Sequence, residues 1–172
     1  MRLRLEPLRA EHAALLFEPM RDPAQFRYIS SDPPQSEAEL RARFERAAAG
    51  SPDPSARWYN WLVRTLDDSV PIGGVQATVR GTTAAIAYWL VRSAQGRGYA
   101  REAVQASIAS LFDLDGVTRI EAHIDTRNVR SIRVVAWLGF RLEGITQGAD
   151  YFKGATSDEY RYAFECPSRK RT

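Results

Sequence analysis

Cysteine occurs once in the 172 residues, as Cys166, and histidine twice, as His12 and His123. One thiol cannot close an internal disulfide, and two distant imidazoles have no metal-ligand spacing, so neither a stapled nor a metal-built fold is expected. No apolar run approaches the ~20 residues that cross a bilayer and no signal peptide opens the sequence, so a cytoplasmic protein with no membrane partner is expected. Lysine is nearly missing too: 22 of the 24 basic residues are arginine, which speaks of a GC-rich bacterial genome more than of a mechanism. The net charge is only +3, and outside Arg169, Lys170 and Arg171 the basic residues are scattered among acidic ones. No nucleic-acid partner is expected from such a surface.

What is there is ordinary globular composition, 44% hydrophobic and 26% charged. A chain of this length buries about 70% of its unfolded surface on folding, so one domain is expected over residues 1–166, with the basic stretch 167–172 as a disordered tail. Alternation in Arg2–Glu6 predicts a strand, and Leu8, Leu15, Leu16 and Met20 fall near helical spacing. Four prolines between Pro19 and Pro34 predict a loop, and Ser36-x-x-Glu39 is a capping box for a helix carrying Leu40, Phe44 and Ala48 that stops at Gly50. Trp58–Leu66, Ile72–Arg80 and Thr83–Arg92 read as an antiparallel meander. A helix over Gly98–Phe112, a strand over Arg119–Asp125, a helix over Val129–Leu138 and strands over Phe140–Thr146 and Asp158–Glu165 complete the chain. A meander followed by alternating strands and helices predicts an α/β (α+β) fold, one mixed sheet of about seven strands with helices on both faces.

The segment richest in chemistry runs from Tyr88 to Ala103, where a strand ends, Gly96 and Gly98 follow, and a helix starts at once. Such a loop leaves several backbone N–H groups unpaired and pointing outward. The helix dipole adds about half a positive charge there, and together they form a cradle for a pyrophosphate. Alone, Gly-x-Gly more often makes only a tight connection. A dinucleotide-binding fingerprint fails, because Arg101 sits where its third glycine belongs.

Gln95-Gly96-Arg97-Gly98-Tyr99-Ala100 fits Q/R-x-x-G-x-G/A and resembles the coenzyme A pyrophosphate loop of the GNAT acetyltransferases. Downstream, Asn128-x-x-Ser131 and Leu138-Gly139-Phe140 resemble that family's N-x-x-S and G-F segment at the family's spacing. Leu5-Glu6-Pro7-Leu8, Ile120 to Asp125, Glu143-Gly144, Asp150-Tyr151, Asp158 and Tyr162 are similar to one branch, the ribosomal-protein N-terminal acetyltransferases, and carry the likeness over nearly the whole chain. The resemblance implies a single domain with a mostly antiparallel sheet and acetyl-CoA as co-substrate; no metal is expected from the sparse histidine and cysteine, and no segment decides between a monomer and a homodimer. It implies transfer of the acetyl group directly to a primary amine, first of all the α-amine of a protein or peptide.

By the same resemblance the backbone of Leu90, Val91 and Arg92 pairs with the pantetheine arm. Gln95, Gly96, Arg97, Gly98, Tyr99 and Ala100 hold the pyrophosphate. Asn128 bonds the arm near the thioester, although at a helix start it also reads as a plain N-cap. A backbone N–H near Val91 is the family-like oxyanion donor. The family often places a tyrosine seven positions after the asparagine to protonate the departing thiolate; here that position is Val135, and Ser131 is the substitute. Asp150 is the first choice of base and His123 the runner-up. An α-amine, with a pKa near 7.7 to 8.0, is far more often neutral at pH 7 than a lysine amine near 10.4, a gap of about 3.5 kcal/mol that a modest base need not supply. Trp58, Tyr59, Trp61 and Trp89 are candidates for the acceptor wall, though aromatic groups are more often core. Two other readings stay open: a small-molecule amine acceptor (an aminoglycoside, polyamine or amino-acid derivative), and an acyl-CoA-binding module without catalysis, which the missing tyrosine favours.

Overall fold

The computed structural model describes residues 2–67, 69–114 and 116–166; the expected disordered tail, 167–172, lies outside them. Strands β1 (Leu3–Pro7), β2 (Ala56–Thr65), β3 (Pro71–Arg80), β4 (Thr83–Leu90), β5 (Arg119–Asp125), β6 (Arg141–Phe152) and β7 (Ala155–Glu165) form one sheet in the order β1-β2-β3-β4-β5-β7-β6. Only β4 and β5 run parallel; every other neighbouring pair is antiparallel. Four helices, α1 (Ala13–Met20), α2 (Glu37–Ala48), α3 (Tyr99–Asp113) and α4 (Val129–Trp137), complete the α+β domain. The capping box starts α2 as its sequence demands: Glu39 N donates to Ser36 Oγ at 3.1 Å, while the Glu39 carboxylate reaches back to Gln35 N at 2.7 Å.

Leu62 and Val63 are neighbours on β2 and both fully buried, which a strand allows only when both faces are covered. On one face, Val104, Ile108 and Leu111 of α3 and Val135 of α4 join Ala77, Val79, Ile120 and Ala122 in a single cluster. On the other, Leu16 of α1 and Leu40 and Phe44 of α2 pack with Leu62 and Ile72, and Asn60 Nδ2 donates to Ala47 O at 2.9 Å to tie β2 to the end of α2. Beyond β4 that second face turns polar. Arg119 pairs there with Glu121 at 2.9 Å and also with Glu143 and Glu165.

The feature that positions the site is a ladder that stops early. β4 and β5 pair only over Thr83–Ile86 and Arg119–Ala122, though β4 continues to Leu90 and β5 to Asp125. Past Ile86 the two strands diverge, leaving inward-facing backbone groups of both without a strand partner. β4 stays on β3 instead, where Gly73 and Gly74 let its backbone come close: a Cβ on Gly73 would lie 2.7 Å from Leu90 Cδ2.

The late strands run further than periodicity suggested. β6 extends to Phe152 and β7 begins at Ala155, joined at Lys153 and Gly154, both with positive φ (50° and 77°). Almost every residue of β6 is exposed whichever way it points, so this edge strand has no in-out alternation to read. Asp150, expected after the strand, therefore lies within it.

Candidate active site

Gly96 and Gly98 both adopt the left-handed conformation, φ 77° and 82°, and Gly98 is the N-cap of α3. Arg101 N and Glu102 N both donate to Gly98 O, at 3.1 and 3.3 Å. The N–H groups of Gly98, Tyr99 and Ala100 come too early in the helix for an intrahelical acceptor, and these residues line a cleft of about 1010 Å³. The cleft runs between the end of β4, the start of α3, the start of α4 and the segment Asp22–Tyr28.

The loop is held from behind by Arg2, ahead of β1. Its Nη2 donates to Arg97 O at 2.9 Å, its Nε donates to Glu102 Oε1 at 2.7 Å, and its guanidinium stacks 4.4 Å from the Tyr99 ring centre. Glu102 in turn accepts from Arg2 N at 2.8 Å. Arg2→Met is expected to raise the KM for acetyl-CoA about three- to tenfold, the worth of one ordinary hydrogen bond, with kcat little changed. Steady-state kinetics at varied acetyl-CoA read that split.

Most of the residues singled out from sequence converge on this cleft. Leu90, Arg92, Gln95, Gly96, Gly98, Tyr99, Ala100, Asn128 and Ser131 all line it. Arg97 is not among the lining; it contributes the carbonyl that Arg2 holds. The side chain of Gln95 turns inward, donating to Leu90 O at 3.0 Å and accepting from Arg130 Nη1 at 2.7 Å, so it bridges β4 to α4. Asn128 is the N-cap of α4, its Oδ1 accepting from Ser131 N at 3.2 Å, and it lines the cleft as well.

Val91 is buried outside the cleft lining, and its N–H already donates to Ile72 O on β3 at 2.9 Å, so it cannot serve as the oxyanion donor. Successive N–H groups on a strand point to opposite sides, and this turns Leu90 N–H towards the gap between β4 and β5. Neither Asp150 nor His123 reaches the lining. Asp150 pairs with Ser157, whose hydroxyl donates to Asp125 at 2.7 Å, and His123, two residues before Asp125, stands 3.4 Å from Glu121. Register puts both on the polar sheet face, and Asp150 accepts from Tyr151 N at 2.7 Å.

Tyr88 was given no role from sequence. Its hydroxyl donates to Ser131 O at 3.0 Å from within the cleft. Burial pushes its pKa up to about 12, so it stays protonated at every working pH. Val135, where the family carries tyrosine, is fully buried in the core near the end of α4, and a phenol from β4 reaches the first turn of that helix instead. The sequence signal was strand parity: Tyr88 shares a face with Ile86 and Leu90.

Asp125, at the mouth of the gap, is 5% exposed and bound by Arg127, whose Nε donates at 2.9 Å, and by Ser157. The Arg127 guanidinium holds its pKa down to about 2 from the usual 3.8. A depressed carboxylate stabilises the fold above its unfolded pKa and loses that contribution as pH falls through the folded one. Asp125 is therefore expected to contribute about 2 kcal/mol above pH 4, lost between about pH 4 and 2. Urea denaturation checks this: the stability difference between wild type and Asp125→Asn should narrow across that interval.

The family model described as "Acetyltransferase (GNAT) domain" matches residues 2–141. The chain belongs to the GNAT acetyltransferase family. Its uncharacterized N-acetyltransferase relative p20 of Bacillus licheniformis is 28% identical over 94% of this chain and 92% of that one. The fold is shared with an acetyltransferase of Salmonella typhimurium that modifies the N-terminal serine of the 50S ribosomal subunit protein L7/L12, at TM-score 0.84 and 20% identity over 97% of this chain and 96% of that one. It is shared also with spermidine N-acetyltransferase from Vibrio cholerae in complex with CoA and spermine, at TM-score 0.79 and 18% identity over 95% of each chain. As a GNAT enzyme the protein is an acyltransferase, an acetyl-CoA-dependent N-acetyltransferase.

Proposed function

We propose that this GNAT enzyme acetylates α-amines, with a protein or peptide N-terminus as the best-matched acceptor. The observation that carries the proposal is the early end of the β4–β5 ladder: one side of the gap opens on the left-handed glycine loop, the other on the face that holds His123 and Asp150. The residues of the cleft fit acetyl-CoA, which supplies an acyl group on a thiol leaving group. Gly98, Tyr99 and Ala100 offer N–H groups to a pyrophosphate, with Arg101, Arg130 and Arg133 nearby on α3 and α4.

In the transfer the amine nitrogen forms a bond to the thioester carbonyl as the carbon–sulfur bond breaks. The nitrogen gives up a proton and the sulfur gains one. Leu90 N–H, on the gap side of β4, steadies the developing oxyanion. Ser131 protonates the sulfur, and Tyr88, locked in its protonated state, fixes the first turn of α4 that carries Ser131. Asp150 takes the amine proton through water, since it stands outside the cleft lining.

Both the ribosomal-protein and the spermidine enzymes share this fold, so the acceptor is decided by chemistry at the gap. Ser131→Ala and Asp150→Asn are each expected to lower kcat on a peptide α-amine by about 10²-fold or more, the usual worth of one positioned proton-transfer group, with the KM for acetyl-CoA unchanged. Peptide acetylation undiminished in Asp150→Asn but lost in His123→Gln would move the base to His123.

A further inference from the structure

Seven charged side chains line the cleft, and their pairing is lopsided. Six are arginines (Arg27, Arg92, Arg101, Arg127, Arg130 and Arg133) and one is acidic, Asp22. Asp22 is engaged twice: it accepts from Ala24 N at 2.9 Å and pairs with Arg92 at 3.4 Å. Arg127 is neutralised by Asp125. Asp32, on the same segment as Arg27, pairs with Lys153 of the β6–β7 turn at 3.5 Å. Arg101, Arg130 and Arg133 lie on the helices of the phosphate end. That leaves Arg27, on the segment Asp22–Tyr28 of the cleft wall, whose guanidinium lies 5.4 Å from the Tyr28 ring centre and, among the described residues, has no carboxylate partner.

A polycation bound here would meet an uncompensated guanidinium, and the carboxylate at the cleft wall is already committed to Arg92. We infer that the acceptor is a primary amine carrying an anionic group, a carboxylate or phosphate, close to the amine, and that Arg27 holds that group. This rests on the proposed α-amine acetylation and narrows its acceptor class. Cations near the amine also favour its neutral form, the form that attacks the thioester. The anion could be an acidic side chain early in a peptide or the carboxylate of a free amino acid; the recognition chemistry is shared.

The test compares kcat/KM for Ala-Glu, Ala-Gln and Ala-Lys peptide amides, free alanine, alaninamide and spermidine, in wild type, Arg27→Gln and Arg27→Glu. In wild type the acidic peptide is expected to exceed the neutral one about tenfold or more, the worth of one charge-assisted hydrogen bond. Arg27→Gln should erase that preference and Arg27→Glu invert it towards Ala-Lys, with the KM for acetyl-CoA unchanged. Free alanine exceeding alaninamide by a like factor assigns the anion to an amino acid, and a preference confined to Ala-Glu assigns it to a peptide. α-Amines acetylated without regard to charge, or a preference untouched by either variant, overturn the inference while leaving α-amine acetylation standing. Spermidine as the best acceptor overturns both.

Discussion

Gly98→Trp is expected to abolish acetyl-CoA binding while leaving the fold intact. Gly98 sits at φ 82°, and a side chain there costs about 1–2 kcal/mol in the left-handed region. The larger effect is on the ligand: an indole at the N-cap of α3 covers the N–H groups of Gly98, Tyr99 and Ala100. Losing two hydrogen bonds to a charged pyrophosphate is worth about 3–6 kcal/mol, so the Kd should rise at least about 100-fold. The fold has room for the change, since the one heavy atom within 4 Å of a Cβ at this glycine is Arg2 Nη2, at 3.5 Å, the far end of a flexible side chain. Calorimetric titration with acetyl-CoA reads the affinity, and circular dichroism confirms the fold.

Gly73→Val is expected to act on the opposite quantity. The Cβ would overlap Trp89 O and stand 2.7 Å from Leu90 Cδ2 and 3.0 Å from Leu90 Cα. A strand backbone cannot step aside as an arginine tip can, so β4 must lift from β3 at its Leu90 end, beyond the point where it leaves β5. The cost is about 3 kcal/mol, the upper part of the range for overpacking, which in a domain of this size lowers Tm by about 10 °C. The same shift displaces Leu90, so acetyl transfer should fall in the fraction that stays folded. Thermal unfolding and a transfer assay below the transition separate the two effects.

Gly96 and Gly98 were legible because a strand, a glycine loop and a helix start in succession admit few backbone solutions, and those solutions carry their chemistry with them. The seven strands and four helices were legible wherever one face is buried, because burial imposes the alternation. β6 was cut short because both its faces are exposed.

Which N–H near Val91 faces the gap is set by pairing with β3, which no local pattern encodes: Val91 N–H bonds Ile72 O, and Leu90 N–H points the other way. Arg2 escaped notice because its contact with Arg97 spans 95 positions. Tyr88 escaped because its partner, Ser131 O, is a backbone atom on another element. The charges around Arg27 interleave in sequence and sort only once Arg92 is brought to Asp22 and Lys153 to Asp32 in space.

The most direct measurement is to incubate the enzyme with acetyl-CoA and a peptide beginning Ala-Glu, following free thiol and peptide mass together. The account predicts one acetyl group on the peptide α-amine for each thiol released, and neither product with Gly98→Trp. Acetyl-CoA that binds in the cleft yet yields no N-acetylated α-amine from any peptide or free amino acid would contradict it.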